Sequence, residues 1–384
     1  MAGFLAQGFR PFFLAAGVWS AAALALWIVL FAAGAALPSR FDPLAWHIHE
    51  MLFGFVMAAV AGFLLTAIPN WTRRLPVSGA PLALLLGLWL LGRAACLVSA
   101  LLPSSLAIAA DLSFPAVLLA VVAREIVAGR NWRNLPMVAP VTVLAVADLL
   151  MHLEAVGASV PPGLGWRLAL AAVIVLISVV AGRIVPSFTR NWLAKRGDPD
   201  LPAVHGAIDR AALGTLHAGL VGWAFFPAER ALGWLLLLGA ALNLWRLLRW
   251  RGGATAEEPL LLVLHVGYAW LALGAGLLGM AELDADLPPS AAIHALTAGA
   301  IGTMVLAVMT RVARGHTGRA LSADRATSLI YVLVGLAALA RVVAVFAGAW
   351  TLPLLVVSAG LWVAAFAGFV LRYGPMLLLP RAVA

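Results

Sequence analysis

The sequence predicts an all-α membrane protein, a polytopic bundle of about twelve transmembrane helices. Of its 384 residues, 64% are hydrophobic and 11% are charged, and the mean hydropathy is +1.03. Soluble domains carry about 25% charged residues, so water would not hold this chain folded as one globule. The apolar runs are long and lack period-2 alternation, which favours helices over the strands of a membrane barrel.

Each span is predicted from a run of roughly 20 apolar residues, the length at which a helix crosses a bilayer. The loops between the runs are short, the longest lying around 191–204, so residues 1–384 are predicted to form a single transmembrane domain with no separate soluble domain. The predicted spans are 11–34, 46–69, 81–101, 104–127, 134–155, 165–189, 206–226, 230–249, 257–281, 290–312, 325–347 and 350–372.

The basic residues predict the orientation of the chain in the lipid bilayer. The even-numbered loops and the two terminal segments hold 18 Arg and Lys residues, whereas the odd-numbered loops hold only Arg40, Arg167 and Arg230. Because cytoplasmic loops carry an excess of Lys and Arg, both termini are predicted to lie in the cytoplasm. This pattern also accounts for the net charge of +9, so no nucleic-acid partner is expected.

Histidines near the outer end of span 2 are candidates for a binding site, because ionisable residues at membrane depth are costly and usually functional. His47 and His49 are two residues apart, and such residues point about 200° apart on an α-helix. They are therefore expected to face different neighbours. Glu50 follows His47 by three residues and is expected to orient its ring.

His294 lies at a similar depth near the outer end of span 10. Gly299 and Gly302 follow it, and their small size lets a flat macrocycle or a neighbouring helix approach. The alternative for His47, His49 and His294 is hydrogen bonding to headgroups or water at the membrane surface.

A second set of histidines lies toward the cytoplasmic side. His265 is roughly 12 Å inside the end of span 9, and His316 follows span 10. His294 and His316 are 22 residues apart, on the order of 33 Å along an unbroken helix, so they cannot share an ion. The sequence thus predicts an outer set with His47, His49 and His294 and an inner set with His265 and His316. The favoured interpretation of the other three, His152, His205 and His217, is loop-end or satisfied interior histidines. The alternative is that His152 joins the outer set, His205 the inner set and His217 either one.

Two arginines, Arg93 and Arg341, lie inside predicted spans, where a guanidinium needs an anion. The candidate anions are Asp111, Asp148 and the propionates of a bound haem. Both arginines are therefore candidate cofactor-binding residues, and an internal ion pair is the alternative.

The cysteine content and the absence of certain cysteine motifs limit the kinds of cofactor that the chain can bind. Cys96 is the only cysteine, which excludes an internal disulfide and a cluster of thiolates. No CxxCH motif is present, so covalent c-type haem is excluded, whereas a non-covalent histidine-ligated haem is not. Histidine without a cysteine cluster favours haem iron or copper over iron–sulfur chemistry.

The chain resembles the NnrS family, bacterial inner-membrane proteins associated with nitric oxide metabolism. The matching motifs occur in order along nearly the whole chain, at Gly8–Phe13, Trp46–Phe55, Gly62–Thr72, Gly182–Asn191, Leu264–Tyr268 and His294–Arg319. The resemblance implies non-covalent b-type haem, copper, and a role in relieving nitrosative stress. The motif histidines, which are the metal-ligand candidates, are His47, His49, His265, His294 and His316.

The first hypothesis is a haem- and copper-binding protein that binds nitric oxide or exchanges electrons near it. His47, His49 and His294 would ligate or surround an outer centre, His265 and His316 an inner one, and Arg93 or Arg341 would meet haem propionates. Redox activity toward nitric oxide and the electron donor stay open.

Two other hypotheses remain. Twelve spans with cytoplasmic termini are common in secondary transporters, in which intramembrane His and Arg would be proton or substrate sites. The chain would otherwise be an assembly protein that delivers a cofactor. The layout is also similar to the main subunit of haem–copper oxidases, an analogy at the level of fold alone.

Overall fold

Twelve long helices make up the computed structural model, which describes residues 3–380. That part of the chain contains no β-strand. The α-helical segments are α1 (Phe9–Ala33), α2 (Pro43–His49), α3 (Met57–Thr72), α4 (Ala80–Leu97), α5 (Ser104–Ala128), α6 (Val138–Ala155), α7 (Leu164–Lys195), α8 (Ala207–Phe225), α9 (Arg230–Leu248), α10 (Pro259–Leu283), α11 (Pro289–His294), α12 (Gly302–His316), α13 (Arg325–Ala344) and α14 (Thr351–Leu378). The 3₁₀ helices are Ser99–Leu101, Trp132–Met137, Gly252–Thr255 and Gly348–Trp350.

Two of the long helices contain a π-helical segment. The first π segment, Glu50–Val56, joins α2 to α3, and the second, Ala295–Ile301, joins α11 to α12. π-helical geometry is rare and is frequent at functional sites. In both helices it starts directly after a candidate histidine, so it sets the direction of the side chains that follow.

The start of α2 is fixed by its sequence. The side chain of Asp42 accepts hydrogen bonds from the backbone nitrogens of Leu44 and Ala45, each over 2.9 Å, and Pro43 occupies the first helical position. Such a cap satisfies N–H groups that have no partner inside the helix, and proline is well suited to that position because it has no N–H. The cap holds α2 at the outer end of the predicted second span.

Eleven of the twelve long helices are long and apolar enough to cross a membrane. The prediction of a polytopic helical membrane protein is therefore confirmed. The helix outside this set is α8, which occupies the predicted span 206–226 and carries Asp209 and Arg210 in its first turn. Large apolar side chains such as Val29 and Leu371 are exposed on the spans, as expected for faces that lipid covers.

α8 packs antiparallel to α9 along most of its length. A Cβ on Gly239 of α9 would lie 3.1 Å from the backbone nitrogen of Leu216 near the middle of α8. A Cβ on Gly222 near the end of α8 would lie 2.5 Å from the side chain of Leu232 near the start of α9. Small residues at these crossings let the two backbones approach closely, as they do between transmembrane helices.

The helices group into two compact units. The first comprises residues 3–172, 312–320 and 366–380, and the second comprises residues 173–311 and 321–365. Within the first unit, α1 packs along α3 and the first π segment, while α5 packs along α3, α4 and α6. Within the second, α9 packs along α8 and α10, and the second π segment packs against α10 and α13.

The tight packing of the second π segment gives a stability prediction. A Cβ on Gly299 would lie 2.6 Å from the ring of Trp270, so Gly299→Ala is expected to lower the free energy of unfolding by about 1–3 kcal/mol through overpacking. The control is Gly335→Ala on α13, where nothing lies within 4 Å and alanine favours the helix. Thermal unfolding of both purified variants measures the difference, and equal melting temperatures would contradict the prediction.

Candidate metal centre

A group of polar side chains is buried among apolar helices inside the first unit. Its members come from α2, the first π segment, α4, α5 and α6, and none is more than 4% exposed. We call this group the His49 centre, and its members are His49, Glu50, Arg93, Cys96, Asp111, Asp148 and His152. Ionisable groups removed from water are tolerated only when they are paired or bind an ion.

Asp111 connects the two histidines and the cysteine of the His49 centre. Its Oδ2 atom lies 3.1 Å from Nε2 of His49 and 3.0 Å from Nε2 of His152. The thiol of Cys96 donates to the same oxygen over 3.2 Å. One ligand atom from each of these four residues lies within 4.8 Å of the others. Because metal–ligand bonds are about 2.0–2.3 Å long, this group has the dimensions of a metal site.

His49 has a carboxylate beside each of its ring nitrogens. Nδ1 lies 3.1 Å from Oε1 of Glu50, and Nε2 lies 2.9 Å from Oδ1 of Asp148. Both contacts are satisfied when each nitrogen carries a proton. If Nε2 instead binds a metal ion, the N–H group at Nδ1 still donates to Glu50. That carboxylate–histidine–metal arrangement is the one that commonly fixes the ring of a metal ligand.

Arg93 holds two of the carboxylates in position. One of its guanidinium nitrogens donates to Oε1 of Glu50 over 2.7 Å, and another donates to Oδ1 of Asp111. The other oxygen of Glu50 accepts a hydrogen bond from Nε1 of Trp19 over 2.8 Å. Gly92 leaves room for the carboxylate of Asp111 beside Arg93, since a Cβ at Gly92 would lie 2.4 Å from Oδ1 of Asp111. The protein thus supplies the anions that Arg93 requires.

The charges of the His49 centre do not balance without added positive charge. The carboxylates of Glu50, Asp111 and Asp148 face one guanidinium, which leaves an excess of two negative charges when the imidazoles and the thiol are neutral. Two protons on the imidazoles, or one divalent cation, would neutralise this excess. Because a net charge is costly in an apolar interior, the centre is suited to take up protons or a cation.

Phe41 covers the imidazoles of the centre. Its ring centroid lies 4.6 Å from that of His49 and 5.0 Å from that of His152, and the two imidazole centroids are 5.2 Å apart. The buried phenyl ring therefore separates the candidate ligands from water.

His47 faces neighbours different from those of His49, as the two-residue spacing predicts. It is half-buried, and its ring stacks on Trp27 with centroids 4.2 Å apart. Glu50, which was expected to orient His47, contacts His49 instead. The expectation considered only positions along one helix, whereas Arg93 and Trp19 from other helices donate to the Glu50 carboxylate on the side of His49.

The cofactor candidates His294 and Arg341 meet at Ser290 in the second unit. Nδ1 of His294 lies 2.7 Å from the backbone oxygen of Ser290, and Arg341 donates to the Ser290 hydroxyl over 3.2 Å. A donated N–H at Nδ1 places the lone pair of a neutral imidazole on Nε2, the tautomer that a metal ligand needs. The grouping of His294 with His47 and His49 in one outer set stays a prediction.

Indole rings occupy the space beside the two glycines that follow His294. A Cβ on Gly299 would lie 2.6 Å from Trp270, and a Cβ on Gly302 would lie 2.5 Å from Trp362. Of the two alternatives for these glycines, the structure therefore supports close packing of neighbouring helices.

The inner candidates, His265 and His316, belong to different units, and their common centre stays a prediction. His265 is buried, and its Nε2 lies 2.9 Å from the hydroxyl of Thr189. Its Nδ1 has no hydrogen-bond partner among residues 3–380. The ring of half-buried His316 lies 5.5 Å from that of Phe9.

The sequence did not predict Cys96 as a site residue, and it gave His152 only as an alternative member of the outer set. His152 was interpreted as a loop-end or satisfied interior histidine, yet it follows Asp148 by one turn of α6, and this i,i+4 spacing was the available signal. Cys96 follows the buried Arg93 by three residues on α4, and so lies on the same helix face. Both signals are weak until the facing helices are known.

The two remaining histidines fit their interpretation. His205 is exposed near the start of α8. Nε2 of His217 lies 2.8 Å from the hydroxyl of Ser178, so this interior histidine is satisfied by hydrogen bonding.

A family described as "NnrS protein" matches residues 3–381 of the chain. The chain belongs to the NnrS family. No curated protein matches it. The NnrS match covers every element of the structure, including the helix from Pro43 to Thr72 that supplies His49 and Glu50. Family membership therefore suggests a membrane protein related to nitric oxide.

The ion pairs of the His49 centre predict how this NnrS protein responds to loss of Arg93. Arg93→Gln leaves Glu50 and Asp111 buried without their guanidinium, and breaking a buried pair typically costs 3–5 kcal/mol, so we expect a clearly lower melting temperature. Arg196→Gln, which breaks an exposed pair with Glu257, should change stability by less than about 1 kcal/mol. Thermal unfolding of both variants tests this, and comparable stabilities would refute it.

Proposed function

We propose that this NnrS protein binds copper at the His49 centre and takes part in the handling of nitric oxide and the relief of nitrosative stress. The observation that carries the proposal is the set of four buried ligand atoms within 4.8 Å, from His49, Cys96, Asp111 and His152. The excess of two negative charges in the whole His49 centre supports a cation at this position.

The donor set fits copper better than the hard cations. Imidazole and thiolate ligands suit copper and zinc, whereas magnesium and calcium prefer oxygen ligands. Two histidines with one cysteine are also the ligands of electron-transfer copper sites. Copper bound here would supply one-electron exchange and an attachment point for a small gas molecule.

The protein residues around the ligands have separate roles. Glu50 would hold the ring of His49 through Nδ1, while Arg93 would fix Glu50 and Asp111 and balance part of their charge. Phe41 would keep water away from the imidazoles, and the apolar bundle would admit a neutral gas that dissolves in lipid.

Haem is the second cofactor that the family resemblance implies, and His294 is our first candidate for its ligand. The hydrogen bond between Nδ1 of His294 and the backbone of Ser290 fixes the tautomer that binds iron through Nε2. Arg341 would meet a propionate beside it. His47, His265 and His316 stay alternative ligands, and Arg93 stays an alternative propionate partner.

We further propose a single transmembrane domain in the bacterial inner membrane, with both termini in the cytoplasm. The positive-inside distribution supports this orientation. The antiparallel packing of α8 on the candidate span α9 supports α8 as a twelfth span, and an even number of spans places both termini on one side. A redox role would need an electron donor, and redox turnover of nitric oxide is a hypothesis for the same centre.

Copper content tests the proposed site. Purified protein reconstituted with copper is expected to bind about one ion, and Cys96→Ser, Asp111→Asn and His152→Ala should each weaken binding about tenfold or more, as losses of metal ligands do. Elemental analysis after dialysis against a chelator measures this. His205→Ala removes an exposed histidine and serves as the control. Full copper retention in all three ligand variants would refute the assignment.

Haem content is expected to depend on a different histidine. If His294 supplies the axial ligand, His294→Ala should strongly reduce the Soret absorbance per protein, while His152→Ala should reduce copper and leave the Soret band largely intact. Absorption spectra of the reduced and oxidised proteins measure the effect. A Soret band unchanged in His294→Ala would exclude this ligand.

A second candidate function is proton-coupled transport. It is favoured by the two carboxylates that bracket the imidazole of His49, because such a cluster can take up and release protons inside the membrane. Purified protein that binds neither copper nor iron would favour transport over the proposed function. Substoichiometric, exchangeable metal would instead favour an assembly protein that delivers a cofactor.

A further inference from the structure

Two stretches of the chain have the same order of helical elements. Residues 9–128 form a long helix, a short helix, a π segment and three further helices, with a three-residue 3₁₀ helix between the last two. Residues 259–378 repeat that order. The long helices α1 and α10 both have 25 residues, both π segments have 7, and both 3₁₀ helices have 3. We call these stretches the first and second module.

Landmark residues occupy equivalent positions in the two modules. Each short helix has a proline in its first turn and ends at a histidine, and each π segment begins at the next residue. The fifth residue of each π segment is a glycine that packs against a tryptophan of the preceding long helix. The equivalent pairs are His49 and His294, Gly54 and Gly299, and Trp19 and Trp270.

The register continues to the end of the π-containing helix. Thr72 and Thr317 each lie 23 residues after the histidine of their module. Each hydroxyl donates to the carbonyl four residues earlier, over 2.9 Å and 2.6 Å. The next residues, Arg73 and Gly318, both adopt positive φ, at 57° and 77°. Hydrophobicity alone would account for the lengths of the spans but not for the positions of such residues, so the two modules share one architecture down to individual residues.

The two copies differ in the acidic residues around the histidine. The first residue of the π segment is Glu50 in the first module and Ala295 in the second. The eighth residue of the last helix is Asp111 in α5, whereas the equivalent position in α14 is Ser358. The second module thus lacks both carboxylates that neutralise the arginine of the first.

The arginine itself is retained. Arg341 lies on α13, the counterpart of α4, one helical turn further along than Arg93. It is half-buried and donates to the hydroxyl of Ser290, and no carboxylate within residues 3–380 forms an ion pair with it. Ser290 also bonds to His294 through its backbone oxygen. A cation and a histidine therefore converge without the acids that surround them in the first module.

We propose that the second module binds an anionic oxygen group, a carboxylate or a small oxyanion, at Arg341 beside His294, whereas the first module binds a cation. The proposal of a cation in the first module rests on the proposed function, and so does a cofactor carboxylate at Arg341, whereas a free oxyanion at Arg341 does not. The anionic group has two sources, a free oxyanion or a carboxylate carried by a bound cofactor. Both would pair with the guanidinium, which is well shaped for carboxylates and similar anions.

Nitrite titration of the purified full-length protein tests the free-oxyanion source. Binding is followed by calorimetry or thermal shift, with sodium chloride as the matched-salt control. Arg341→Gln is expected to weaken nitrite binding about tenfold, the loss that follows from removing one charge-assisted hydrogen bond. Arg341→Lys, which keeps the charge, should recover part of the affinity. Arg230→Gln removes another cation from a predicted outer loop and should behave like the wild type.

A carboxylate carried by a cofactor predicts different results in the same experiments. If a cofactor carboxylate occupies the site, wild-type protein will not bind nitrite, and Arg341→Gln will lower the haem retained per protein while Arg230→Gln will not. Nitrite binding and haem retention that are both insensitive to Arg341→Gln would overturn the anion site. Copper content is measured on the same samples, so a failure of the His49 centre to bind copper is distinguished from a failure of the anion site.

Discussion

The burial of three carboxylates among transmembrane helices is the constraint on which the rest of the candidate site depends. Glu50, Asp111 and Asp148 have almost no contact with solvent, and an uncompensated charge there would cost several kcal/mol. Arg93 compensates part of this charge through two of them. The remainder is met by protons, on the imidazoles or on a carboxylate, or by a bound cation, so the centre is suited to a positively charged occupant.

Hydrogen bonds determine which way the carboxylate of Glu50 points. Glu50 contacts His49 and not His47, and Arg93 and Trp19 donate to its two oxygens on that side. The π segment that begins at Glu50 has a wider turn, and its Gly54 lies where a Cβ would be 2.4 Å from Nε1 of Trp19, the group that donates to Glu50. Backbone geometry, glycine placement and the indole hydrogen bond thus act together to orient one carboxylate.

The sequence was sufficient to predict the membrane-spanning helices, because the thickness of the bilayer imposes a length and a composition that can be recognised in each helix separately. It was also sufficient to identify His49 as a candidate and to require an anion for Arg93. The sequence was not sufficient to predict which side chains surround His49 and Arg93. Cys96 and His152 look like ordinary interior residues until α4, α5 and α6 are placed side by side, since their convergence on Asp111 is a property of tertiary packing. The contacts that Arg93 and Trp19 make with Glu50 were equally invisible, because the angular argument considered positions along one helix only.

Comparison of the two modules distinguishes the residues that are needed to fold a module from the residues that form a binding site in it. The second module forms the same series of elements with Ala295 and Ser358 in place of the acids, and it retains the contact between glycine and tryptophan. The acids are therefore unnecessary for building a module. Buried ion pairs rarely add net stability over apolar packing, so their presence in the first module calls for another explanation. The cation binding proposed for the His49 centre would supply it, because the acids would then serve as ligands and counter-charges of the ion.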